Sequence, residues 1–533
     1  MTENRHDRTV LAAFTEHRQA DPDATAVHYY GNRISRAELD DLSNGLAHWL
    51  TEARVGRADR VAVSLQNTPL FAIALLAAWK VGAVLVPVSP MLKAGELASL
   101  LSDCEARVLL AHPDMAEVIA AALKNVDHTP TLLWSNPSDL AGDMDGPWAA
   151  GTQIVPADGT AILPELNSRH RKPVPLHDPS PDEIALLTYT SGTTGPSKGA
   201  MLTHANIGYQ AVVTPDWLGL TAVDTVLTIA PFFHITGLGM HLALGLGKGL
   251  PLVMTYRFEP RHVLELIQHY TPSFSVGTIT AYIALADQAA TSEHAQAALT
   301  RMTSAVSGGA AVPAAVVDRY ERQFGVYIRN GYGLTETASI CIAVPTGERA
   351  PIDPGSGATS IGRPLPGVTV KIIADDGSEA THSASGEIVV QGPQVGTGYR
   401  NRPDETANTF RPDGVHTGDI GIIDEQGWIY LIDRKKDLIV VSGYKVWPRD
   451  VEDVLYQHPS IAEVAVIGAP DDYRGESVTA FVVPRPDTSV TTDELNRHCR
   501  EHLSAYKCPR HYEIVSTLPK SASGKILRRL LKS

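Results

Sequence analysis

Regular alternation of helical and strand patterns predicts an α/β protein: a large N-terminal domain of α/β sheets with a small β-barrel-like subdomain, then a small α+β C-terminal domain. Three observations carry that expectation. From 7 to 111, helical stretches at 10–18, 36–50 and 71–81 alternate with Val/Leu-rich runs at 60–65, 83–88 and 106–111, the rhythm of mainly parallel sheets. Beyond Pro351, short β runs at 368–373, 386–391 and 427–432 are separated by Gly/Asp turns, as in an antiparallel sheet or small barrel. A dense charge run, Asp433-Arg434-Lys435-Lys436-Asp437, then stands between two apolar runs and marks a boundary, giving domains at 1–434 and 435–533.

Composition narrows the function. At 533 residues the chain exceeds what one core supports, so two or more domains are expected. Hydrophobic residues make up 44% and charged residues 20%, which describes a globular chain rather than a disordered one. A net charge of −14 excludes a general nucleic-acid binder, because a phosphate backbone is repelled. Any anionic ligand must therefore be met by local positive charge. Cys104, Cys341, Cys499 and Cys508 lack metal-type spacing and fit free thiols in a reducing compartment. The apolar run 71–88 holds Lys80, Gly82 and Pro87, so it divides into a helix and a buried strand and is not read as a membrane span. The first seven residues lack the form of a leader, so a cytoplasmic protein is expected.

The remaining elements follow in order. Residues 135–182 are Pro-, Gly- and Asp-rich and read as a long loop leading to an apolar strand at 184–189. A helix at 204–212, a strand at 225–230 and the run Pro231-Phe232-Phe233-His234-Ile235-Thr236-Gly237 come next. A helix at 261–269 precedes Ser273-Phe274-Ser275-Val276-Gly277, and the same rhythm continues through 303–310 and 326–333. In the C-terminal domain Pro448 opens a helix ending near His458, strands lie at 464–467 and 478–483, and Thr491 with Glu494 makes a capping box. Arg528, Arg529 and Lys532 read as a solvated basic end.

One stretch concentrates the chemistry: Thr190-Ser191-Gly192-Thr193-Thr194-Gly195-Pro196-Ser197-Lys198-Gly199. Glycines let backbone N–H groups turn inward, hydroxyls donate hydrogen bonds, and lysine adds a mobile positive charge, a combination suited to a polyphosphate. Lys198 is followed by Gly199 and no helix start follows, so this is not the Walker pattern. Gly195-Pro196-Ser197-Lys198-Gly199 also matches the Gly-x-Ser-x-Gly of serine hydrolases. That elbow must follow its strand at once, and here Ser191-Gly192-Thr193-Thr194 intervenes.

Other strand ends carry small, hydroxyl or acidic residues: His234, Ser307-Gly308-Gly309 and Thr335-Glu336. In open α/β sheets ligands bind beyond the carboxyl ends of the strands, so these segments are expected to converge. Five motifs stand in order: Tyr189-Thr190-Ser191-Gly192-Thr193-Thr194-Gly195, Asn330-Gly331-Tyr332-Gly333-Leu334-Thr335-Glu336, His416-Thr417-Gly418-Asp419, Asp433-Arg434-Lys435-Lys436 and Gly524-Lys525. Together they resemble, over nearly the whole chain, the adenylate-forming enzymes: acyl-CoA synthetases, peptide-synthetase adenylation domains and beetle luciferases. The run 433–439 and Leu518-Pro519-Lys520 look most like bacterial fatty acyl-CoA ligases. The resemblance implies a ligase of fatty acid metabolism that turns a carboxylic acid and ATP into an acyl-adenylate and pyrophosphate. The acyl group then passes to CoA, giving a thioester and AMP.

The same resemblance implies roles. Thr190, Ser191, Gly192, Thr193, Thr194 and Lys198 hold the β- and γ-phosphates; Thr335 meets the α-phosphate; Glu336, with Thr190, holds Mg²⁺. Tyr332 packs on adenine and Asn330 reads its exocyclic edge, while Gly308, Gly309, Ala310, Gly331 and Gly333 line the nucleotide. Asp419 takes the ribose hydroxyls with Arg434 nearby. His234 lines the acyl pocket, and Lys525 bridges the substrate carboxylate and the α-phosphate. The small C-terminal domain is mobile in this family, with Lys436 as the hinge in this chain's register. In the second pose Val441-Ser442-Gly443-Tyr444 faces the thiol channel, where Gly443 leaves room for pantetheine; the lysine that luciferases carry near this loop is Val440 here.

The pocket segments offer Phe233, Thr236, Leu238, Val276, Thr278, Ala305 and Ile340, with no acid to pair an ammonium, which favours an uncharged organic acid over an α-amino acid. The partners expected are a small carboxylic acid, ATP and CoA, with no nucleic acid and a monomer or homodimer. An amide synthetase passing the acyl group to an amine shares every motif and differs only in the second half-reaction. A non-catalytic binding module does not account for the lysine, the acid and the hydroxyl loop together.

Overall fold

The computed structural model describes residues 8–148, 156, 158–169, 177–190, 197–290, 292–310, 312–434, 437–442, 444–471, 473–486, 488–521 and 524–531, without the side chains of 433, 434 and 445. The chain forms two compact units, each assembled from separate stretches. One takes in Met1–Val276, Gly333–Ile340 and Gly392–Val415; the other Gly277–Tyr332, Cys341–Gln391 and His416–Ser533.

In the first unit an eight-stranded sheet runs in the order Gly398–Tyr399, Lys198–Thr203, Ile184–Thr190, Val84–Pro87, Arg60–Ser64, Val108–Ala111, Thr131–Trp134 and Thr160–Ala161. From Ile184–Thr190 onward the neighbours are parallel, as the alternation predicts. Strands such as Val84–Pro87 and Val108–Ala111 are buried along their whole length, and so read as continuous apolar runs rather than alternating ones. The helix Pro69–Lys80 is buried throughout. Its Lys80 ammonium is satisfied by Asp40 Oδ1 at 2.6 Å, Ser43 Oγ at 2.6 Å and Asn44 Oδ1 at 2.7 Å, which is how a cation survives in that core. Among the described residues no helix is long and apolar enough to cross a membrane.

Two expectations need correction. The stretch 135–182 is not one loop: Thr160–Ala161 adds a strand beside Thr131–Trp134, and the helix Ile162–Arg169 follows. Arg169 pairs with Glu52 of the helix Arg36–Glu52 at 3.0 Å, a contact that local composition does not reveal. The helix expected at 204–212 runs on to Trp217 with Pro215 inside it. Thr214 Oγ1 donates to Gln210 Oε1 at 2.8 Å in that last stretch, and tertiary burial outweighs the helix-breaking tendency of proline.

The second unit carries most of a ladder, part of a 14-stranded sheet, in the order Thr369–Ile373, Gly386–Gln391, Gly414–Ile423, Ile429–Arg434, Ser360–Pro364, Ser339–Ala343, Ile328–Leu334 and Ser304–Ser307. The short runs after Pro351 pair antiparallel. A five-stranded sheet made of Tyr444–Val446, Ile439–Val441, Gly475–Pro484, Ile461–Asp471 and His511–Ile514 forms the C-terminal part. Helices Pro448–Gln457 and Thr492–His502 accompany it, the latter opened by the Thr491/Glu494 capping box. The domain boundary expected at 434/435 falls within this unit, and residues 435 and 436 lie outside the described ones. Arg528 is not a solvated end. It pairs with the buried carboxylate of Glu452 at 2.7 Å and reaches Asp437 at 3.5 Å.

Candidate active site

In the first unit the apolar strand Ile184–Thr190 is followed by the Gly/Ser/Thr loop and returns as Lys198–Thr203, antiparallel, with Thr190 opposite Lys198. The strand Ile184–Thr190 is therefore one arm of an antiparallel pair, which excludes both the Walker strand-loop-helix and the serine-hydrolase elbow, since Ser197 leads into a strand. Ser191, Gly192, Thr193 and Thr194 lie outside the described residues. At the start of the other arm, Lys198 holds its ammonium over the ring of Tyr399, 5.3 Å from the centroid.

Thr335 and Glu336 occupy a single helical turn, Thr335–Thr337, directly after the strand Ile328–Leu334. Thr337 Oγ1 accepts from Leu334 N at 2.9 Å and donates to Ser339 O at 2.9 Å, which shapes the turn. Gly333 precedes it because a Cβ there would lie 1.7 Å from Ser339 O. Glu336 Oε1 accepts from the Tyr399 hydroxyl at 2.5 Å. Burial and the charge of Glu336 push the Tyr399 phenol far above its ordinary value, so it stays a donor. Tyr399 is not among the residues expected from sequence, and nothing in Gly398-Tyr399-Arg400 marks it. Among the described residues no group of three or more His, Cys, Asp or Glu could hold a metal. A lone carboxylate fits Mg²⁺, which keeps several waters and binds through one or two carboxylates together with substrate phosphates. His234, also in this unit, caps the turn Ile235–Gly237, its Nδ1 accepting from Thr236 N at 3.2 Å.

The second unit assembles the other expected residues. The Tyr332 hydroxyl donates to Asp419 Oδ2 at 2.7 Å, and both residues are buried. Burial first, then the Asp419 charge, raises the Tyr332 phenol well above its ordinary value. Asp419 is set in the ladder opposite Arg434, so these two backbones are adjacent. Asn330 donates from Nδ2 to Ser360 O at 3.2 Å and lines a cavity of about 210 Å³ with Val312, Tyr327 and Thr359. Gly308 approaches Gly331 so closely that a Cβ would sit 2.5 Å from the Gly331 carbonyl oxygen, and Gly309 adopts φ +77°. Ala310 beside them is exposed.

Lys525 closes a tight turn: Ser521 N donates to Lys525 O at 2.7 Å, Lys525 N to Ser521 Oγ at 3.2 Å, and Gly524 takes φ +82°. Gly524 lies against the start of the helix Ile279–Ala289. A Cβ on it would meet Thr278 Oγ1 at 3.0 Å, and Thr280 Oγ1 reaches Gly524 O at 3.5 Å. Gly277, just before Thr278, accepts from Gly308 N at 3.3 Å. The lysine turn and the glycine loop therefore flank the same short segment. Lys436 and Gly443 lie outside the described residues; beside Gly443, Tyr444 is exposed and stacks on Tyr506 with centroids 4.9 Å apart.

Comparison with known proteins shows the family. The family model described as AMP-binding enzyme matches residues 14–400, and that of the AMP-binding enzyme C-terminal domain matches 450–525. A long-chain-fatty-acid–CoA ligase of Bacillus subtilis (strain 168) is 34% identical, over 98% of this chain and 94% of the relative. A feruloyl-CoA synthase of an Amycolatopsis species is 35% identical over 95% of each. Among solved structures, ATP-bound MatB of Rhodopseudomonas palustris superposes with a TM-score of 0.84 at 27% identity, covering 98% of each chain.

Proposed function

We propose that this chain, which belongs to the AMP-binding enzyme family, activates an uncharged carboxylic acid with ATP and passes the acyl group to CoA. The observation that carries the reading is the Lys525 turn set against Thr278 and Thr280, next to the glycine loop and in the same unit as the Tyr332–Asp419 pair. Activation joins two anions, a carboxylate oxygen and an α-phosphate, so the site must offset charge and fix an in-line approach. On this reading Lys525 supplies the positive charge between the two reacting groups. Asp419, oriented by Tyr332, accepts from the ribose hydroxyls and sets the nucleoside. Lys198 and the loop hydroxyls hold the leaving pyrophosphate. Glu336 would hold Mg²⁺, which neutralises phosphate charge when bound. With CoA, the thiol displaces AMP from the acyl-adenylate after the C-terminal residues beyond 434 turn about Lys436, bringing the Gly443 segment forward.

The two curated relatives are named for an aliphatic and an aromatic acid at nearly equal identity. What supports an uncharged substrate here is the lining: Phe233, Leu238, Val276 and Ile340 of the first unit are buried and apolar. The four free cysteines, all buried, support a reducing compartment, and we place the enzyme in the cytoplasm. The test is exchange of radiolabelled pyrophosphate into ATP across aliphatic, aromatic and α-amino acids, followed by CoA with the best acid. Acid-dependent exchange and a CoA thioester are expected. Exchange that only α-amino acids support, or an adenylate that CoA never discharges while an amine does, would overturn the reading.

A further inference from the structure

We propose that Tyr399 is a positioning residue for adenylation: its hydroxyl fixes the Glu336 carboxylate for the cation while its ring face fixes the Lys198 ammonium. This rests on the reading of Glu336 as the cation ligand. Glu336 stands on one short turn after its strand, not inside a ladder or a long helix. Tyr399 limits its side-chain rotation by donating to Oε1 at 2.5 Å. A carboxylate accepts at about four lone-pair sites, so this bond leaves capacity for a cation while removing rotational freedom.

Tyr399 is itself held on every side. Its strand pairs with the lysine-bearing strand, Tyr399 opposite Ala200 and Gly398 opposite Met201. Its backbone N–H donates to Thr406 Oγ1 at 2.9 Å, and its ring meets Phe410 edge-on with centroids 5.2 Å apart. Flanking residues grip both partners: Arg400 N donates to Gly199 O at 2.8 Å, and Gly396 N donates to Glu336 O at 2.8 Å. The segment 396–400 therefore ties the lysine-bearing strand to the acidic turn through backbone as well as side chain. Tyr399 spans the gap between the group that meets the leaving phosphates and the group that meets their counter-ion.

The test compares wild type with Tyr399→Phe, Tyr399→Leu and Glu336→Gln, using Mn²⁺ with a non-hydrolysable ATP analogue. Free Mn²⁺ is read by electron paramagnetic resonance, alongside the Mg²⁺ dependence of pyrophosphate exchange and the thermal midpoint. Tyr399→Phe keeps the ring under Lys198 and loses only the hydroxyl. It should weaken Mn²⁺ binding about tenfold, the effect typical of removing an outer partner of a metal ligand, and raise the Mg²⁺ requirement in step. Its thermal midpoint should stay at the wild-type value. Tyr399→Leu should add a rise in KM for ATP, because Lys198 loses its aromatic support. Unchanged Mn²⁺ binding in Tyr399→Phe while Glu336→Gln weakens it overturns this proposal alone. Unchanged binding in Glu336→Gln overturns the assignment of Glu336 and this proposal with it. A lowered midpoint with equal activity loss at every Mg²⁺ concentration shows a merely structural tyrosine and also overturns it.

Discussion

Each unit of this protein holds a buried phenol against a carboxylate, Tyr332 with Asp419 at 2.7 Å and Tyr399 with Glu336 at 2.5 Å. The chemistry is the same, a neutral donor that orients an acceptor without cancelling its charge. The support differs. Tyr332 and Asp419 both sit in ladder strands, Ile328–Leu334 and Gly414–Ile423, so backbone pairing helps to place each in addition to the hydrogen bond. Glu336 sits in one turn, followed by Ala338 and Ser339 at φ 52° and 109°, and its partner lies in a two-residue strand. Positive φ at a non-glycine residue costs on the order of 1–3 kcal/mol and persists where surroundings over-determine it. The Tyr332–Asp419 pair is thus set by sheet, and the Tyr399–Glu336 pair by a few side chains and backbone ties.

That contrast can be broken by mutation, and the largest effect is expected at the sheet-set pair. Asp419→Ala removes both acceptors proposed for the ribose and should raise KM for ATP about 100-fold, as two lost charged hydrogen bonds of about 1.5 kcal/mol each imply. Steady-state exchange kinetics reads this directly. Tyr332→Phe should raise KM for ATP about tenfold and leave the Mg²⁺ requirement unchanged, the reverse of the pattern expected for Tyr399→Phe. Identical profiles for the two phenylalanine variants would erase the distinction between the pairs. Lys436→Pro, by fixing φ at the proposed hinge, should preserve pyrophosphate exchange and slow CoA transfer several-fold in single-turnover assays. Unaffected transfer would move the hinge elsewhere. The smallest functional effect belongs to Arg528→Ala. It breaks a pair with buried Glu452 and should lower stability by about 2 kcal/mol in denaturant titration, with exchange activity kept.

Much of this was legible in the residues, and the exceptions share a cause. Helices such as Arg36–Glu52 and Pro260–Tyr270 announce themselves because amphipathic periodicity and caps are local. The lack of a Walker helix is legible too, since Lys198 is followed by Gly199 and no helix start, whereas the returning strand Lys198–Thr203 is not. Tyr399 was invisible because its partner Glu336 lies 63 residues away and strand pairing, not sequence spacing, joins them. Thr160–Ala161 and Ile162–Arg169 were hidden in a Pro- and Gly-rich stretch because what fixes them is tertiary, through a neighbouring strand and Glu52. Arg528 looked like a solvated tail because Glu452, its ion-pair partner, lies 76 residues back on another helix.

The central claim is that Lys525 bridges carboxylate and α-phosphate from a turn seated on Thr278 and Thr280. It is tested most directly by assaying Lys525→Ala separately in the two half-reactions. Acyl-adenylate formation should fall by about 100-fold or more, as for the loss of a preorganised charge at the reacting centre. Thioester formation from CoA and a supplied acyl-adenylate should proceed at the wild-type rate. Equal loss in both half-reactions would contradict the account.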